Sequence, residues 1–179
     1  AEKLVGENPT PDQITDEALR LWSLAAKYYS NWIHSAIEAR QKVQIDVALG
    51  VADRIYNLGL VINRIDDKKS FTGMDLDSLK NAKIFQDAAR IYEPIANEEL
   101  GRPAGVDTSK LLLKLAWCQD FAQDWERARD AYERLVQAER LRNADGKTIN
   151  ESVLKAKPWL FVAYEELGHV YIRLGAMGV

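Results

Sequence analysis

The chain has 179 residues, 47% of them hydrophobic, which suits one domain with a substantial core and argues against global disorder. Its 24 Lys and Arg against 27 Asp and Glu give a net charge of −3 with both signs interspersed, so no basic stripe tracks a phosphate backbone and nucleic-acid binding is not expected. The longest apolar runs fall far short of the roughly 20 residues of a membrane span.

Residues 1–9 are polar and irregular. Thr10-Pro11-Asp12-Gln13 carries helix-start chemistry: Thr10 to cap, Pro11 at the first helical position, Gln13 to reach back to the cap amide. Ile14, Ala18, Leu21, Ala25, Tyr28, Trp32, Ala36 and Ala39 then form a stripe at helical spacing, widened by Trp22, Tyr29 and Ile33. A second stripe, out of phase with the first, runs through Ile45, Ala48, Ala52, Ile55, Gly59 and Ile62, which predicts a break near Gln41 to Asp46. Gly50 and Gly59 inside that helix each cost about 1 kcal/mol against Ala, a cost that close helix packing offsets. Asp66 to Gly73 reads as a loop. A third helix is predicted from Asp77 or Ser78, with Pro94 inside it, and Gly101-Arg102-Pro103-Ala104-Gly105 ends it.

Asp107, Thr108 or Ser109 caps the next helix, which carries Leu111, Leu112, Leu115, Ala116 and Cys118. Cys118 is the only cysteine, so there is no internal disulfide, and it reads as a small buried residue. A tight turn near Gln123-Asp124 leads into the helix of Trp125, Ala128, Tyr132 and Leu135, where a small residue between bulky ones lets a neighbouring helix approach. Phe85, Ala88, Tyr92 and Ile95 repeat its spacing of three, four and three. Asn143 to Lys147 is a loop, and Pro158-Trp159 opens a last helix with Tyr164, Leu167, Gly168, Tyr171 and Leu174. The chain begins with Ala and stops soon after this helix, so a piece of a longer protein with an open apolar face at the cut end is the expectation.

Leu112, Leu115 and Ala116 followed by Trp125, Ala128 and Tyr132 resemble one unit of the tetratricopeptide repeat family, a two-helix hairpin that stacks into a solenoid. Tyr164, Leu167, Gly168, Tyr171, Leu174 and Gly175 look like the first helix of another unit, and Phe85 to Ile95 like the second helix of an earlier one, with residues 45–65 as its partner. The sequence departs from the family in two insertions (residues 66–77 and 143–158) and in Gln119, where the family favours an aromatic. The implied fold is all-α, a right-handed stack of antiparallel helical hairpins, a TPR-like α-solenoid of about three units. It occupies residues 1–179 as a single domain: long N-terminal helices over 10–65, the best-defined repeats over 77–142 and a further first helix over 158–175.

Little supports catalysis. Glu166 to His169 has the Glu-x-x-His spacing of metal bundles, but no second copy exists, since Asn31 stands three residues before His34. Leu141 and Ser152 stand where a calcium loop around Asn143 to Gly146 needs its first Asp and last Glu, so a turn is the simpler reading. There is no phosphate-cradling glycine motif and no nucleophile with a base and an orienter. Neither catalytic residues nor a metal or other cofactor is expected. Glu98-Glu99 and Glu165-Glu166 read as solvated pairs. Trp125, Tyr132, Phe85, Tyr92, Tyr164 and Tyr171 read as core.

Trp117 and Phe121 lie away from Leu112, Leu115 and Ala116, one turn apart. The resemblance implies that this side lines a concave groove, shared by Leu113, Trp117, Asp120 and Phe121 from one unit and Glu165, His169 and Arg173 from the next. An open Trp-Phe pair anchors an extended peptide or a partner helix; the other reading is that the N-terminal helices or the insertions cover it. The implied function is a non-catalytic protein-protein interaction scaffold for a peptide or partner protein. The alternatives are a self-associating structural module, hence a homo-oligomer, and, further off, a helical enzyme or metal-binding domain.

Overall fold

The computed structural model describes residues 14–39, 44–65, 76–99 and 105–176, so the expected helix opening at Thr10 to Gln13 and the expected loop at Asp66 to Gly73 lie outside the described residues. Among the described residues there are seven α-helices and no strand, only an isolated bridge between Arg142 and Ile149. The chain divides into two compact units, residues 1–66 with 77–106 and residues 67–76 with 107–179.

The first unit holds α1 (Asp16–Glu38), α2 (Ile45–Asn63) and α3 (Lys83–Ala96). Thr15 starts α1 by accepting the Ala18 amide at 3.2 Å, and Asp16 and Glu17 sit on the positive end of the helix. The buried face of α1 is Ala18, Trp22, Ala26, Ser30, Ile33 and Ala36. That face is turned from the expected stripe: Leu21 and Ala25 are half-buried and Tyr28 is exposed. The small side chains on that face, Ala18, Ala26, Ser30 and Ala36, let α2 and α3 close on the helix.

Helix α1 ends at Glu38 and α2 begins at Ile45; residues 41–43 of the expected break lie outside the described residues, and Ile45 and Asp46 are already helical. Helices α2 and α3 pack as a pair around Gly59, where an added Cβ would lie 2.6 Å from the Phe85 ring and 2.9 Å from Ile84. Gly50 has no such role, since it is exposed with nothing within 4 Å. Helix α3 starts later than predicted. Leu76–Ser78 is a single 3-10 turn, and the Asn63 side chain holds Lys80 by accepting its amide at 2.6 Å and donating to its carbonyl at 3.0 Å. Asn81 then takes a left-handed φ of 54°, which no helix continues through. Phe85, Ala88, Tyr92 and Ile95 are all buried, and Pro94 sits in the last turn.

The second unit holds α4 (Thr108–Phe121), α5 (Trp125–Ala138), α6 (Glu151–Ala156) and α7 (Trp159–Ala176). Asp107 caps α4 by accepting the amides of Ser109 and Lys110. A tight turn with Gln123 at φ 60° folds α5 back against α4. Ala128 is fully buried, as are Tyr132 and Leu135, and α5 packs against α7 on its other flank. Helix α6, inside the second insertion, was not expected; Asn150 caps it at the Val153 amide. The Asn143 to Lys147 loop is a turn about Asp145, which accepts the amides of Lys147 and Thr148 and the Thr148 hydroxyl.

Candidate functional site

Helix α4 is buried nearly all round, from Leu111 to Leu113 and from Leu115 to Phe121. Leu113, Trp117, Asp120 and Phe121 are therefore interior residues, and Trp117 and Phe121 make no open anchor: their exposures are 6% and 0%. The three predicted residues of α7 lie differently. Glu165, His169 and Arg173 recur every fourth residue and are each half-buried. Asp120 and Arg173 are brought together directly, with the Arg173 Nη1 donating to the Asp120 Oδ1 at 2.6 Å. The floor of this face is thus buried and its α7 rim reaches water.

The electrostatics of the floor centre on Asp120, which has no exposed surface. Burial pushes its pKa up to about 7. The Arg173 guanidinium opposes this, the like charge of Glu166 adds to it, and the nearby Tyr132 hydroxyl lowers it again. Glu166 is fully buried, against the expectation of a solvated Glu165-Glu166 pair, because its place on α7 turns it inward while Glu165 stays half-buried. Tyr171, expected in the core, is 46% exposed and donates to Glu133 at 2.6 Å, and Arg142 reaches the same oxygen at 3.2 Å. Tyr164 is half-buried. With its Oδ1 engaged by Arg173 and no surface of its own, Asp120 ties α4 to α7 and offers no atom to a dissolved substrate.

The two imidazoles belong to different units. His34 is exposed and its Nδ1 donates to the Ser30 carbonyl at 2.8 Å, whereas His169 lies half-buried on α7. Among the described residues no group of three or more His, Cys, Asp or Glu is placed to hold a metal ion. Cys118 is buried, as expected of a small interior residue.

A second feature, in the first unit, was not anticipated. Arg20, Ser23, Leu24 and Lys27 of α1 face Lys83, Asp87 and Arg90 of α3 across a cleft of about 300 Å³. Its signal in the sequence is a pair of cations seven residues apart on each helix, two turns along one face. Each pair is legible alone; their meeting depends on how α1 lies against α3.

No family model matches this chain, and the searches of curated proteins and of solved structures also find no match.

Proposed function

We propose that this protein is a non-catalytic protein-protein interaction scaffold, a TPR-like stack of helical hairpins whose first helices present a face to a peptide or partner protein. The supporting observation is the Asp120–Arg173 pair, which joins α4 to α7 along the side that the family resemblance assigns to the groove. A buried floor of Leu113, Trp117 and Phe121 fixes that face, and Glu165, His169 and Arg173 form the rim a partner touches. A preformed face limits the entropy lost on docking. The test is Glu165→Arg combined with His169→Ala, two partly exposed positions whose change leaves the floor intact. Partner capture by the full chain should fall at least tenfold with an unchanged melting temperature; undiminished capture contradicts the assignment.

Self-association is a second reading, favoured by the exposed apolar side chains of α7: Phe161 at 59%, Ile172 at 68% and Tyr171 at 46%. Light scattering over a concentration series separates the two. A mass that rises with concentration and falls back with Ile172→Lys supports a homo-oligomer, and a constant monomer mass contradicts it.

A further inference from the structure

Helices α1 and α3 meet in a cleft walled mainly by cations. Arg20 and Lys27 come from α1, Lys83 and Arg90 from α3. Two of the four are engaged. Arg20 is bidentate to Glu17 at 2.7 and 2.8 Å, and Arg90 reaches Asp87 Oδ1 at 3.4 Å. Lys27 and Lys83 are exposed, and among the described residues neither has a carboxylate partner.

The one acid at the floor does not cancel this field. Asp87 is buried, and both of its oxygens are taken, Oδ1 by Arg90 and Oδ2 by the Ser23 hydroxyl at 2.8 Å. It thereby orients Ser23 and Arg90. Four cations against Glu17 and Asp87 leave an excess of positive charge in a hollow of a chain that is negative overall. A concave site with like charges focuses the field on a small anion.

The cleft also has an apolar shelf. Leu24 lines it and is 51% exposed; Tyr28, one turn further along α1, is 68% exposed. Tyr28 is not loose, because its ring stands edge-to-face on Tyr29 at 5.7 Å, and Tyr29 on Trp32 at 6.0 Å. Cations beside an exposed Leu24, with Tyr28 one turn further along the helix, match a ligand that carries carboxylates and an aliphatic side chain together. A nucleic acid needs a longer basic track than four side chains in a pocket supply.

We propose that the α1–α3 cleft binds an acidic peptide segment, its carboxylates held by Lys27 and Lys83 beside Arg20 and Arg90, with an apolar side chain laid on Leu24 and Tyr28. This site belongs to the first unit and stands whether or not the α7 rim of the second binds a partner.

The test is a nuclear magnetic resonance titration of the full, isotope-labelled chain with the synthetic peptide (Asp-Glu-Leu)₃. Amide shifts should cluster at Ser23, Leu24, Lys27 and Lys83. Lys27→Glu with Lys83→Glu should weaken binding at least tenfold, Tyr28→Ala several-fold, and the peptide with Asn and Gln for its acids should not bind. Lys27→Gln with Lys83→Gln removes the charge without reversing it and gives the same direction should the reversed pair perturb the fold. The proposal is overturned if the peptide causes no shifts, if both double variants bind as the wild type does, or if the amide peptide binds equally well. It is also overturned if the same residues shift with a single-stranded DNA 20-mer or with phosphatidylserine vesicles and not with the peptide.

Discussion

Gly59 and Gly50 show how one residue type takes opposite roles in one helix. A methyl group at Gly59 meets the Phe85 ring at 2.6 Å, so Gly59→Ala should cost about 1–3 kcal/mol despite the better helix propensity of Ala. Gly50→Ala meets nothing within 4 Å and should stabilise by up to about 1 kcal/mol. Thermal melts of the two variants should move in opposite directions; a gain at Gly59 would show that α2 and α3 do not close as described. Asp120 sets a pH dependence. Its folded pKa lies near 7, above the usual 3.8, so the native state holds the proton more tightly than the unfolded chain does. The stability tied to this proton is complete below about pH 4 and is lost as pH rises through about 7. Asp120→Asn, which keeps an oxygen for Arg173 and cannot ionise, should raise the melting temperature relative to wild type more at pH 8 than at pH 5. An equal difference at both pH values would mean that Asp120 is ionised throughout.

At the scale of the helix, periodicity carried most of the fold. Ala128, Tyr132 and Leu135 and their echo from Phe85 to Ile95 mark the buried faces of α5 and α3, while Trp125, expected in the core, is only half-buried at the start of α5. Boundaries set by single side chains were hidden. The start of α3 depends on Asn63 gripping Lys80 from seventeen residues away, and α6 depends on a cap at Asn150 inside a polar insertion. The candidate site was half legible. The family resemblance implied a shared face for Asp120 and Arg173, and the two do meet, but no pattern within α4 tells an open Trp117 from a buried one when the helix is apolar on every side. With Trp117 in the interior, Trp117→Ala should cost about 3–5 kcal/mol, as a large core truncation does, measured by denaturant titration. A loss below about 1 kcal/mol would indicate that the indole faces solvent.

Across the whole chain, what is exposed is as telling as what is buried. Leu24 and Tyr28 on α1 and Phe161 and Ile172 on α7 keep large apolar surfaces in water. Beside them lie charged groups fit for recognition, Lys27 and Lys83 in the first unit and Glu165 and Arg173 in the second. The central claim is that a partner docks on the α7 rim. The most direct measurement replaces Glu165 with a photo-crosslinking amino acid in the full chain, irradiates it among its native proteins and compares it with the same replacement at exposed Arg127. The account predicts a discrete covalent adduct from position 165 and none from position 127; no adduct at 165, or equal adducts at both, would contradict it.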